Sequence, residues 1–153
     1  MTLTLLRAPT YPDPDADMGE NTFTYSIYPH AGAMDAADLY ARAYDFNNPM
    51  MVEKATGEKT CIPTTYSMVT CDKSNVLCEV VKEAEDSEDY IFRFFECSNT
   101  VTDAAITFGF DVEKVELCDM GENTIEVLAC EGNTVSLPFG AFEIHTLKVT
   151  AKA

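Results

Sequence analysis

An all-β fold, an antiparallel β-sandwich with one short helical segment, is what this sequence predicts. Three observations carry the expectation. From residue 50 onward, apolar runs of strand length recur between clusters of turn-forming residues. Several of them alternate with period two, as half-buried strands do. Only residues 31 to 49 show helical spacing. A length of 153 residues suits a single domain over 1–153, large enough to bury roughly two-thirds of its unfolded surface.

The chain starts with an apolar strand expected at Leu3, Leu5 and Leu6, running into Arg7. Pro9, Pro12 and Pro14 then fix φ and deny the stretch a helix or a place in a central strand. Asp13, Asp15 and Asp17 alternate through this stiff arm. Phe23, Tyr25 and Ile27 next alternate with Thr22, Thr24, Ser26 and Tyr28, the pattern of a half-buried strand. A rigid charged loop presented between two strands is where binding residues tend to sit. In the helical stretch, Asp35 is placed to cap, Leu39 with Ala43 and Tyr40 with Tyr44 share faces, and Asn47-Asn48-Pro49 ends it.

Strands are then expected at Met50 to Glu53 and Lys59 to Pro63, around a hairpin tip at Ala55-Thr-Gly-Glu58, and at Thr65 to Cys71. Asn75 to Lys82 follows, its run Val76 to Val81 apolar enough for a place inside the core. Tyr90 to Glu96, Ala104 to Phe110, Val112 to Leu117, Thr124 to Cys130, Thr134 to Leu137 and Ala141 to Val149 complete the set. Met120 to Asn123 and Glu131 to Asn133 read as hairpin turns.

A formal charge of −16 argues against nucleic acid and anionic membrane as partners, since both would repel it. No apolar run reaches the roughly 20 residues of a membrane helix. The six cysteines form no C-x-x-C pair, the two histidines lie far from them, and no secretory signal precedes them. They read as reduced core thiols of a cytoplasmic protein.

Leu5-Leu-Arg-Ala-Pro, Pro12-Asp-Pro-Asp-Ala-Asp-x-Gly and Phe23-Thr-Tyr-Ser-Ile-Tyr-Pro-His together resemble the C-terminal region of bacterial and cytosolic-type α-mannosidases, glycoside hydrolase family 38. The resemblance continues through Ala43-Tyr-x-x-Asn-Asn-Pro, Val81-Lys-Glu-Ala-Glu-Asp, Ile91-Phe-Arg-Phe-Phe-Glu and Phe142-Glu-Ile-His-Thr-Leu-Lys. It thus runs from about Thr2 to Val149. Asn21 departs from the pattern where a histidine is common, Glu83 where a lysine is, and His145 where a lysine or arginine is.

The resemblance implies the C-terminal β-sandwich domain of a larger enzyme that hydrolyses terminal α-mannosides of glycans. The family's catalytic metal, usually zinc, and its nucleophilic aspartate belong to a preceding catalytic domain, so this chain is expected to hold no cofactor, catalytic residue or metal ligand and to be inactive alone. Its implied partner is that catalytic domain and, through it, the mannoside glycan. Arg7, Asp13, Asp15 and Asp17 are the candidates for the active-site rim. Arg7 either reaches toward the sugar pocket or simply pairs with one of the three aspartates. Arg93 and Glu96 are expected in structural ion pairs with other strands, and Glu83, Glu85 and Asp86 as solvated loop charge. A domain taken from such an enzyme should expose apolar surface, expected beside residues 3 to 7 and 22 to 28. The competing reading is a free-standing carbohydrate-binding or structural β-sandwich module. Such modules stack sugars on exposed rings, and this chain has no tryptophan.

Overall fold

A computed structural model describes residues 2–54 and 63–152. Two units divide the chain, Met1–Gly32 and Ala33–Ala153.

The second unit holds all the regular structure among the described residues. Helix α1 (Ala36–Asn47) is capped as its sequence dictates: the Asp35 carboxylate accepts from the Ala37 N–H, satisfying a donor the first turn leaves free. Asn48 ends it, its N–H donating to Tyr44 O. Nine strands follow: β1 (Val69–Cys71), β2 (Val76–Glu83), β3 (Tyr90–Glu96), β4 (Thr102–Phe108), β5 (Val112–Cys118), β6 (Thr124–Leu128), β7 (Cys130–Glu131), β8 (Thr134–Phe139) and β9 (Ile144–Ala151). They form two antiparallel sheets, ordered β1-β4-β8-β7 and β2-β3-β9-β5-β6.

Period-two alternation decides which side chains meet between the sheets. On β4, Ala104, Ile106 and Phe108 point inward, and Phe92 and Phe94 of β3, Val135, Leu137 and Phe139 of β8, and Leu147 and Val149 of β9 meet them. Phe92 and Phe108 lie 5.2 Å apart between ring centroids, tilted rather than face to face. Pro138 cannot donate to a ladder. It sits where β8 has lost its outer neighbour, because β7 pairs with β8 only at Val135 and Thr134. At Gly109 a Cβ would collide with the Ser67 carbonyl, so the close passage of these two segments requires glycine.

Several expectations need correction. Neither Leu3 to Leu6 nor Thr22 to Tyr28 is a strand. Alternation makes a strand only when a neighbour supplies the ladder, and none does among the described residues. Met50 to Glu53 is likewise not a strand, and the flanking segment and hairpin tip over 55–62 lie outside the described residues. β1 begins only at Val69. β2 is an outer strand rather than a core one: Val76 is buried, but Val81 is 49% exposed.

Candidate functional site

The arm from Arg7 to Asp17 is exposed throughout apart from a half-buried Ala16, and it is braced by bonds of very short range. The Asp13 carboxylate accepts from the Asp15 N–H at 3.0 Å, an Asx turn. Ala16 N–H donates to Asp13 O and Met18 N–H to Asp15 O, both at 3.3 Å. Asp17 lies in the left-handed region at φ 60°. The Asn21 amide holds that conformation by donating to Asp17 O at 3.1 Å and Gly19 O at 3.3 Å. The Tyr11-Pro12 peptide is cis. Asp13 therefore spends its carboxylate on the loop itself, whereas Asp15 and Asp17 contribute backbone to the bracing. Among the described residues no ion pair joins Arg7 to Asp13, Asp15 or Asp17.

On both sides of the arm the apolar residues are open. Leu3, Leu5, Leu6, Phe23, Tyr25 and Ile27 are all exposed, Ile27 by 82%. Apolar side chains are thus exposed within 3–7 and 22–28, where apolar surface was expected, although no strand presents them.

A second cluster lies at one end of the sandwich, where sequence reasoning expected only an ion pair. Glu96 is 1% exposed and meets no cation among the described residues. Its Oε1 accepts from Asn75 Nδ2 at 2.9 Å and Ser98 N–H at 2.7 Å; its Oε2 accepts from Thr100 N–H at 3.1 Å and Phe142 N–H at 3.0 Å. Burial alone would raise its pKa, but the bonds from Phe142, Asn75, Ser98 and Thr100 outweigh it and hold the carboxyl at about 2. The carboxylate ties the start of β2, the turn after β3 and the turn before β9 into one knot. Asn99 at φ 58° and Phe142 at φ 57° are the left-handed residues this knot holds in place. Arg93 likewise forms no ion pair among the described residues, and its Nε donates to Thr146 Oγ1 at 3.2 Å. The readable signal was Glu96 at a strand end, directly before the turn-forming run Cys97-Ser-Asn-Thr100.

Between α1 and β2 lies a cleft of about 240 Å³ lined by Tyr40, Tyr44, Asn47, Asn48, Glu79 and Phe95, among others. Tyr40 packs edge-on against Phe95 at 5.5 Å. Register explains Glu79: Cys78 pairs with Phe94 and Val80 with Arg93, leaving Glu79 as the extra residue of a β-bulge. Burial raises the Tyr44 hydroxyl's pKa first, and the charge and hydrogen bond of Glu79 raise it further.

The other carboxylates stay apart from any such site. Lys82 Nζ bridges Glu122 at 2.6 Å and Glu85 at 3.1 Å, joining two loops. Among the described residues no three His, Cys, Asp or Glu side chains are grouped to hold a metal ion. His145 Nε2 lies 3.0 Å from Pro138 O and 3.5 Å from Glu143 Oε2, and two acceptors there require that this nitrogen carry its hydrogen. These residues do not fit a zinc site. The five described cysteines are free thiols. No helix among the described residues is long and apolar enough to cross a membrane.

Comparison with known proteins gives a consistent picture. Residues 75–147 match the family described as glycosyl hydrolases family 38 C-terminal beta sandwich domain. Over 152 residues the chain is 31% identical to alpha-mannosidase 2C1 of Mus musculus, covering 96% of this chain and 14% of that protein. The Homo sapiens alpha-mannosidase 2C1 is 30% identical over the same shares. Alpha-mannosidase G of Dictyostelium discoideum is 33% identical over 111 residues, 71% of this chain and 10% of that protein. The chain thus spans at most 14% of the length of these relatives.

Proposed function

The chain belongs to the glycoside hydrolase family 38 C-terminal β-sandwich family, and from that premise we propose that it is the non-catalytic C-terminal domain of an α-mannosidase acting on terminal α-mannosides of glycans. It packs against the catalytic domain of the same enzyme and offers the Arg7–Asp17 arm to the rim of the sugar pocket. The divalent metal, zinc by family resemblance, would be held by that other domain and supply electrophilic assistance there.

The exposed apolar side chains of residues 3–28 carry this reading. Single exposed apolar residues are ordinary, but so many along one short segment mark a surface meant for cover. The relatives are roughly seven times longer than this chain, so the cover is available within one polypeptide. The arm between these residues is already braced, which lowers the entropy lost when it meets a ligand.

The test is a full-length enzyme carrying Leu5→Asp, Tyr25→Asp and Ile27→Asp together. It should lose most aryl α-mannoside turnover and become sensitive to protease at the domain junction. Turnover and protease resistance equal to those of the parent would refute the docking role.

A further inference from the structure

We propose that the cleft between α1 and the outer strand β2 binds one neutral pyranose residue of a glycan. This goes beyond the proposed function, because the cleft is complete within this chain.

Four observations converge. The first is size: about 240 Å³ lies below the roughly 300–1,000 Å³ of sites for drug-sized ligands, which leaves room for a single small ring. The second is the balance of hydrogen-bonding groups. Asn47 Nδ2 donates one hydrogen to Ala43 O at 2.8 Å and Asn48 Nδ2 one to Tyr44 O at 3.2 Å, so each amide keeps its oxygen and one N–H for a ligand. Glu79 adds a carboxylate to which Tyr44 donates. A lining that offers both acceptors and donors suits a ligand rich in hydroxyls, which do both, and a carboxylate accepts the strongest of such bonds.

The third is charge. Glu79 together with a formal charge of −16 turns away phosphates, sulfates and carboxylates, so the ligand is neutral or cationic, and the cationic probe below separates the two. The fourth is shape. Tyr40 and Phe95 give the cleft an aromatic wall, and the negative face of a ring attracts the C–H bonds along one side of a pyranose. Bulges re-aim side chains beside functional sites, and this one places its extra residue, Glu79, in the cleft lining.

The experiment is an NMR titration of the ¹⁵N-labelled 153-residue chain with methyl α-D-mannopyranoside and methyl β-D-glucopyranoside, with tetramethylammonium as a cationic probe. Saturable shifts confined to the amides of residues 40–48 and 78–80 on adding a glycoside are expected. Glu79→Gln and Tyr40→Leu should each weaken the affinity by about tenfold or more, the worth of one charge-assisted bond or one ring contact. Amide dispersion in the same spectra reports whether each variant is folded. Glu79 is exposed, so Glu79→Gln keeps the test valid if Tyr40→Leu unfolds the chain. No saturable shift with either glycoside would overturn the proposal. So would a response to tetramethylammonium alone, or glycoside affinity unchanged in Glu79→Gln. None of these outcomes depends on mannosidase turnover, so failure here and failure of the docking role are separable.

Discussion

Residues 2–32 and residues 33–152 order their backbones by opposite means. In the first region the hydrogen bonds that brace the arm span two to four residues, and no side chain is buried. In the second, Glu96 alone joins residues 75, 98, 100 and 142, and thirteen buried side chains share one core. Short-range bonds fix the local shape of a loop at little entropic cost, because the loops they close are small. They do not remove apolar surface from water, which is the dominant favourable term in folding. The sandwich therefore carries its own stabilisation, while the arm has shape without a core.

The comparison would be broken most completely by catalysis in either region. The isolated 153-residue chain should give no more than background hydrolysis of an aryl α-mannoside, with or without added zinc. Turnover that follows the rigorously purified protein through metal addition and chelation would sink the division altogether.

Next in size is the knot at Glu96. Glu96→Ala strands buried donors that each cost about 1–3 kcal/mol when unpaired, so a loss of about 3 kcal/mol or more is expected. For a chain of this length that is a fall of roughly 6–12 °C in Tm. The pH dependence has a definite sign. The folded carboxyl, at about 2, lies below its ordinary 4.5, so its contribution is whole above pH 4.5 and drains away as pH falls toward 2. Thermal melts of the parent and of Glu96→Gln across that window should converge at the acid end. Parallel curves would show that the carboxylate charge does not matter.

Smaller again is the arm. Asp15→Ala and Asp17→Asn in the full-length enzyme should lower kcat/KM by about ten- to hundredfold, the equivalent of about 1.5–3 kcal/mol for a lost bond to a charged group. Asparagine is the choice at position 17 because it tolerates the left-handed backbone there. A fall in Tm with unchanged kinetics would make the arm structural only.

The smallest effect is a near-silence. In the isolated chain, Ile27→Ser should move stability by no more than about 0.5 kcal/mol, because this side chain is 82% exposed. A larger loss by chemical denaturation would mean that residues 2–32 bury more than they show.

The same contrast explains what could be read from the sequence. β3 falls at Tyr90–Glu96, where alternation and flanking turns put it, and Asp35 caps α1 as its side chain dictates. In both cases the deciding physics is local. Leu3 to Leu6 and Thr22 to Tyr28 alternate equally well, but a strand needs a hydrogen-bonding neighbour, and sequence does not supply one. Asp13, Asp15 and Asp17 stood out by alternating through a proline-stiffened arm, and the family resemblance made them rim candidates, whereas the roles their groups play in the turns were not legible. Glu96 and Glu79 were missed for a shared reason. Each owes its setting to a register or a turn brought in from elsewhere in the chain, at Phe142 for one and at the Cys78/Val80 shift for the other.

The scattered thiols have a practical consequence. Cys71, Cys78, Cys97, Cys118 and Cys130 lie on or beside β1, β2, β3, β5 and β7, so they sample both sheets. Burial raises the pKa of each, Cys78 to about 11, which keeps them protonated and sluggish toward electrophiles at neutral pH. An alkylating reagent must therefore wait for the structure around buried Cys97 and Cys118 to open, whereas half-buried Cys71, Cys78 and Cys130 are partly open to it already. The molecule thus carries its own stopwatches: the rates at which Cys97 and Cys118 acquire a label report how often the ends of β3 and β5 come loose.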